Sequence, residues 1–247
     1  MIGMFDSGSG GLTVLRALRE KTKNADIIYF GDIAHAPYGE KTANELRRLT
    51  IAGLRLLHTR GATVLVSACN SVSTSVLAGA AETMPYIEMS RPTARFMQDH
   101  RGKRYLLIAT PATIGAGLYQ RVLDGIVDLD PLPIAGLAGA IEFGESEEPI
   151  TRLLNDAFSS RRGEQYDGLI LGCTHYPLIR ERIMRIARDY CGEMDIIDPA
   201  YAVADEVCAT FNTGGSGKTI LLISKESAHF RERVDALFGS DCEVEVV

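Results

Sequence analysis

Leu169-Ile170-Leu171-Gly172-Cys173-Thr174-His175-Tyr176-Pro177-Leu178 decides how this chain is read. The apolar run from Gly168 to Leu171 predicts a buried strand, and Gly172 breaks it. A thiol, a hydroxyl and an imidazole follow within three residues. Pro177 then leads into a helix predicted from about Leu178 to Tyr190. Chemistry in open parallel sheets gathers at this carboxyl end of a strand, beside a helix N-terminus that favours anions. A cysteine there can have its thiolate stabilised.

Val64-Leu65-Val66-Ser67-Ala68-Cys69-Asn70-Ser71 repeats the pattern: apolar strand, small residue, cysteine, hydrogen-bonding side chains. Cys69 and Cys173 lie 104 positions apart (69 to 173). The same offset carries Asp6 onto Thr110, each following an apolar run near a glycine-rich turn, and Tyr38 onto Glu142. This long period predicts two related α/β halves. Each half presents one cysteine to the cleft between them.

At 247 residues the chain has room for one large domain or two of roughly 100–120 residues. Its apolar share of 46% and charged share of 23% are those of an ordinary globule, so neither disorder nor a fibrous fold is indicated. Net charge is −6, with no basic block or zinc-finger spacing, so nucleic acid is not the expected partner. No run approaches the roughly 20 apolar residues of a membrane span. Only four residues separate Met1 from Asp6, too few for a secretory signal. Five cysteines without a CxxC pair argue against a disulfide framework. The expectation is a cytoplasmic protein with reduced thiols.

Asp6-Ser7-Gly8-Ser9-Gly10-Gly11 follows the first strand and precedes a helix from Leu12. Its spacing fits neither GxGxxG nor a P-loop, and a tight strand-to-helix turn is the plain alternative. Asp6 closing the strand, with Ser7 beside it, points instead to an active-site turn. The polar loop from Asp32 to Lys41, with Pro37-Tyr38-Gly39, can offer backbone amides to a ligand carboxylate. Thr213 to Thr219 imitates a P-loop, but Asn212 stands where its first glycine is needed and a strand follows rather than precedes it. It reads as a flexible loop.

Two thiols facing one cleft suit the inversion of a carbon acid: one takes the proton from one face and the other returns it on the opposite face. A reference pKa of about 8.5 lets thiol and thiolate coexist near neutrality once local donors act. The roles exchange with reaction direction. Asp6 is a candidate proton partner for Cys69, and His175 for Cys173. Asn70, Ser71 and Thr174 could hold the charged groups of an amino acid. Cys191, Cys208 and Cys242 read as small buried hydrophobes. Zinc on Cys69, Cys173 and His175 lacks ligand spacing, and a Cys173–His175 hydrolase leaves Cys69 without a task.

These residues resemble the cofactor-independent aspartate/glutamate racemase family, its glutamate branch in particular. The matching motifs are Asp6 to Val14, Tyr29-Phe30-Gly31-Asp32, Pro37-Tyr38-Gly39, Ala68-Cys69-Asn70 and Gly172 to Leu178, in chain order. The resemblance implies a fold of two pseudosymmetric α/β domains with mainly parallel sheets and the active site in the cleft between them, residues 1–92 with 209–247 and residues 93–208. It implies Cys69 and Cys173 as the acid/base pair, assisted by Asp6, Glu142 and His175. Substrate contacts would come from Ser7, Pro37, Tyr38, Gly39, Asn70, Ser71 and Thr174. The implied activity is interconversion of L- and D-glutamate with no cofactor and no metal, by a homodimer, supplying D-glutamate for peptidoglycan. A racemase of another acidic amino acid, or an idle amino-acid binder, remains open. Ser71, Ala116, Ile33 and the run Glu88-Met89-Ser90-Arg91-Pro92 depart from the family pattern.

Overall fold

Continuous apolar runs such as Ile2–Asp6 and Gly168–Gly172 are buried at every position, as strands covered by helices on both faces must be. The computed structural model describes residues 1–76, 84–239 and 242–247. It contains two parallel sheets. In the first, β1 (Ile2–Asp6), β2 (Ile27–Gly31), β3 (Val64–Ser67) and β4 (Tyr86–Ile87) lie in the order β2-β1-β3-β4. In the second, β5 (Arg104–Ala109), β6 (Asp128–Pro133), β7 (Gly168–Gly172) and β8 (Asp195–Ile197) lie in the order β6-β5-β7-β8. The two walks are the same. The internal repeat at an offset of 104 therefore has a structural counterpart: β1 matches β5, and β3 before Cys69 matches β7 before Cys173.

The first sheet is extended by the end of the chain. β9 (Thr219–Ile223) pairs with β2, and β10 (Val244–Val246) pairs with β9 at the edge. The sequence pattern did not predict β10. β6 begins earlier than the weak strand expected at Leu132, because Asp128 is already in register with Arg104.

Helices cover both faces of each sheet. On one face of the first sheet lie α1 (Leu12–Lys21), α10 (Pro199–Thr210) and α11 (Ala228–Phe238); on the other are α2 (Ala43–Thr59) and α3 (Asn70–Ser75). The second sheet lies between α7 (Leu137–Glu142), α8 (Glu147–Ser159) and α9 (Arg180–Cys191) on one side and α6 (Leu118–Leu123) on the other. Two short helices, α4 (Ser90–Phe96) and α5 (Pro111–Gly115), join the units. α10 follows the second sheet in sequence, yet its Ala200, Val203, Ala204 and Val207 are buried in the first core.

Two local readings differ from the sequence expectation, and a third falls partly outside the described residues. The helix after Cys173 is delayed: a 3₁₀ turn, Tyr176–Ile179, carries Pro177 before α9 begins. The helix expected from Ser71 to Ala81 is α3 as far as Ser75, and its part from 77 lies outside the described residues. The loop around Ser216 is anchored, since the Asp26 carboxylate accepts from Ser216 N, Ser216 Oγ and Lys218 N at 2.9–3.0 Å. Among the described residues no helix is long and apolar enough to cross a membrane.

Candidate active site

The carboxyl ends of β1, β3 and β7 meet where the two units face each other. Ser7, Pro37, Tyr38, Gly39, Cys69, Asn70 and Ser71 line one side of a narrow pocket, and Thr110, Ala138, Cys173, Thr174 and His175 line the other. Cys69 and Cys173 each keep 6% of their surface. Of the expected residues, Asp6 and Glu142 do not line the pocket but stand behind it.

Glycine explains how the units come so close. A Cβ on Gly8 would lie 2.7 Å from the Glu142 carboxylate, and one on Gly10 would lie 2.6 Å from the His175 ring. The turn after β1 is therefore the surface against which the second unit's catalytic candidates are pressed. Gly10→Ala is expected to displace His175 and cut kcat about 10²-fold, the order set by a 1 Å error in placement. Steady-state kinetics on the folded variant checks this.

On the Cys173 side, His175 Nδ1 is 3.7 Å from Cys173 Sγ, and His175 Nε2 is 2.6 Å from Glu142 Oε2. Glu142 Oε2 also accepts from Ser9 N at 3.0 Å and Ser9 Oγ at 2.6 Å. Burial favours neutral forms of both groups, but their hydrogen bonds and opposite charges win. His175 is pushed up to about 10 by Cys173 and Glu142 against its burial. Glu142 is drawn down to about 2 by His175 and Ser9 against its own. The pair is an imidazolium and a carboxylate at neutral pH, and the imidazolium is a ready partner for a thiolate.

The Cys69 side has the opposite electrostatics. Burial pushes the Cys69 thiol up, and the Asp6 charge adds to this, while Ser7 and the Val72 amide oppose it. Ser7 Oγ lies 3.5 Å from Cys69 Sγ. Asp6 is wholly buried; its Oδ2 accepts from Gly8 N at 2.9 Å and its Oδ1 from Thr174 Oγ1 at 3.3 Å. Burial raises the Asp6 pKa, with His175 pulling against the rise.

The substrate-contact candidates divide in two. Asn70 Oδ1 accepts from Tyr119 OH at 2.7 Å, which leaves Asn70 Nδ2 buried with no protein partner. An unpaired buried donor is costly, so this one is suited to an acceptor on a ligand. Ser71 Oγ meets Thr110 Oγ1 at 3.3 Å across the cleft. The Tyr38 hydroxyl donates to Asp32 Oδ2 at 2.6 Å and is already committed, so a ligand contact from Tyr38 falls to its backbone. Asp32 also takes Ser224 Oγ at 2.6 Å and His35 Nδ1 at 2.9 Å, so it holds the Pro37–Gly39 loop from behind. Among the described residues no group of three His, Cys, Asp or Glu is placed to hold a metal ion.

Several residues here carried no separate signal in sequence. Ser9 and Thr110 lay inside motifs already singled out, whereas Tyr119 sits on an ordinary helical face. Arg233 of α11 also reaches in, donating to Ser9 Oγ and lying 3.3 Å from Glu142 Oε2.

The chain is similar to known proteins along its whole length. The Asp/Glu/Hydantoin racemase family model matches residues 2–207. A glutamate racemase of Aquifex pyrophilus is 30% identical over 249 residues, 99% of this chain and 96% of that protein. The crystal structure of a glutamate racemase isoform from Bacillus anthracis superposes with a TM-score of 0.87 at 26% identity, covering 100% of this chain and 97% of that one. The glutamate racemase of Francisella tularensis, solved in complex with D-glutamate, gives 0.85 at 26% identity, covering 100% and 96%. With the family pattern running from the first strand to the tenth helix, and full-length relatives to match, this chain belongs to the Asp/Glu/hydantoin racemase family.

Proposed function

We propose that this chain interconverts L-glutamate and D-glutamate without a cofactor, using Cys69 and Cys173 as bases on opposite faces of the α-carbon. One observation carries the reading: two cysteines, one from each unit, line a single pocket with electrostatic neighbours of opposite sign. The thiolate on one side takes the α-proton, and the thiol on the other returns a proton to the opposite face. Each turnover leaves the two protonation states exchanged. His175 with Glu142 resets Cys173, and Asp6 resets Cys69. Asn70 Nδ2, Ser71, Thr174, Ser7 and the amides of the Tyr38-Gly39 loop hold the ammonium and carboxylates.

The domains in this reading are residues 1–92 with 209–247 and residues 93–208, except that α10, which begins inside the second range, packs in the core of the first; their opening admits substrate. D-glutamate for peptidoglycan is the product's use, and a homodimer is the expected assembly, which sedimentation velocity checks.

Glutamate is expected to be turned over in both directions, with kcat/KM for aspartate about 10²-fold lower or less. A side chain one methylene shorter leaves the buried donors of the pocket unpaired. Circular dichroism of each pure enantiomer checks it; equal values for the two acids sink the substrate assignment. Dialysis against a chelator is expected to leave the rate unchanged, and a chelator-sensitive rate would return Cys69 or Cys173 to the zinc reading. The chain Cys173–His175–Glu142 also has the order of a thiol hydrolase's machinery. Ammonia or a cleaved product in the same assay would favour that reading, which gives Cys69 no role.

A further inference from the structure

We propose that Arg233, on the last helix of the chain, is a positioning residue for the Cys173 side of the site. It lies beyond the residues matched by the family pattern, which end at 207. α11 packs through Phe230 and Val234 into the core of the first unit, with the Phe230 ring 6.1 Å from that of Tyr29. From that base the Arg233 side chain, 13% exposed, crosses to the second unit. Its Nη1 donates to Ser9 Oγ and stands 3.3 Å from Glu142 Oε2, and its Nη2 donates to the Ile141 carbonyl. The carbonyl lies at the end of α7, where a cation is favoured, and also accepts from Gly144 N at 3.3 Å.

The fork therefore acts on Glu142 by two routes. One is direct, through charge. The other runs through Ser9, whose hydroxyl accepts from Arg233 and so turns its own proton onto Glu142 Oε2 at 2.6 Å. His175 Nε2 bonds the same oxygen. The orientation of the His175 ring, and with it the 3.7 Å approach of Nδ1 to Cys173 Sγ, is fixed by a carboxylate that Arg233 pins from the other side. Arg233 is not among the residues lining the pocket, and its place is therefore that of a positioning residue.

The charges around this cluster are Glu142 and His175 from the second unit, Asp6 from the turn after β1, and His229 and Glu232 on α11 itself. His229 Nε2 is 2.8 Å from Arg233 Nη2, and Glu232 lies 3.3 Å from the other nitrogen of that ring. The Tyr29 hydroxyl donates to the Gly8 carbonyl at 2.7 Å and stays neutral, its pKa raised well above the ordinary value by burial.

The inference rests on the acid/base role of Cys173 proposed above, and its test is separable from that role. Arg233→Met keeps an apolar stem and removes the fork. Alkylation by iodoacetamide, read cysteine by cysteine by mass spectrometry across pH, needs no substrate. In Arg233→Met the Cys173 profile is expected to shift by about half a pH unit or more, with Cys69 unmoved, because one of two cations sharing Glu142 is gone. With glutamate, kcat is expected to fall about 10-fold or more at a KM within about twofold of the parent. Arg233→Lys, which keeps the charge but reaches fewer acceptors, is expected to recover part of kcat and to shift Cys173 less. Unchanged Cys173 alkylation in either variant overturns the proposal. So does a shift of both cysteines together with a raised KM, which marks a general loosening. If Arg233→Met does not fold, Arg233→Lys alone decides by the same profile. A shifted Cys173 in a protein inactive on glutamate would count against the substrate and leave Arg233's role standing.

Discussion

Cys69→Ser and Cys173→Ser are each expected to lower glutamate racemisation by about 10²–10⁴-fold, the range supplied by a positioned acid or base. A serine hydroxyl in the same place is far too weak an acid to provide its oxyanion near neutral pH. The informative part is what survives. With two bases on opposite faces, each variant keeps the thiol that serves one enantiomer. Slow exchange of the α-proton with deuterated water is therefore expected from one enantiomer only, and the two variants choose opposite ones. In the parent enzyme, product formed from either enantiomer carries solvent deuterium at Cα, because the returning proton comes from the thiol that did not abstract. A hydrolase would depend on Cys173 alone, and a zinc site would lose everything with either change. Proton NMR of the α-position, run on each pure enantiomer, checks the handedness. Exchange of the same enantiomer by both variants, or normal racemisation by Cys69→Ser, would remove the two-thiol mechanism.

The fold and the cysteines were legible for one physical reason. Parallel strands covered on both faces must be apolar throughout, so their ends are sharp, and the residues after Leu171 and Ser67 stand out as chemistry. The offset of 104 likewise survives because both units repeat one strand order. What stayed hidden is contact between distant segments. Nothing local marks Arg233, which is one of two arginines on an exposed-looking helix, as the residue that crosses to Glu142. Tyr119 is equally silent until its hydroxyl is seen on Asn70. The Glu88 departure finds its reason only in three dimensions. Its buried carboxylate accepts from Ser90 N, Ser90 Oγ and Arg91 N at 2.6–2.9 Å, capping the start of α4 where a negative charge is favoured. The hold of Asp32 on the Tyr38 hydroxyl is likewise invisible in sequence, because it joins two residues of one polar loop that carries no regular pattern.

Glu142→Gln is the second change with a large expected effect, and pH separates its parts. It removes the anion from a buried pair whose other member, His175, is 5% exposed, and an unpaired buried charge costs about 3–5 kcal/mol. In the parent, Glu142 is depressed to about 2, so its share of stability is present above its unfolded value and is lost as pH falls towards 2. His175 is raised to about 10, so its share is full below its unfolded value of about 6.5 and is lost as pH rises from there towards 10. The pair's contribution is then greatest between about pH 4.5 and 6.5. Asp6 and Cys69, both raised chiefly by burial, also lose stability with rising pH, over lower and higher ranges respectively. They are common to both proteins, so the difference between parent and variant isolates the pair. Denaturant unfolding is expected to show Glu142→Gln less stable by about 3–5 kcal/mol near pH 6, with the gap narrowing towards pH 10. Across that alkaline range the parent loses the imidazolium's advantage, and the variant, whose His175 keeps only the Cys173 contact, has less to lose. Turnover should fall with it, since a neutral amide in place of the carboxylate no longer supports the imidazolium that faces Cys173. A gap that stays constant from pH 6 to 10 would mean that the pair does not carry the charges assigned to it.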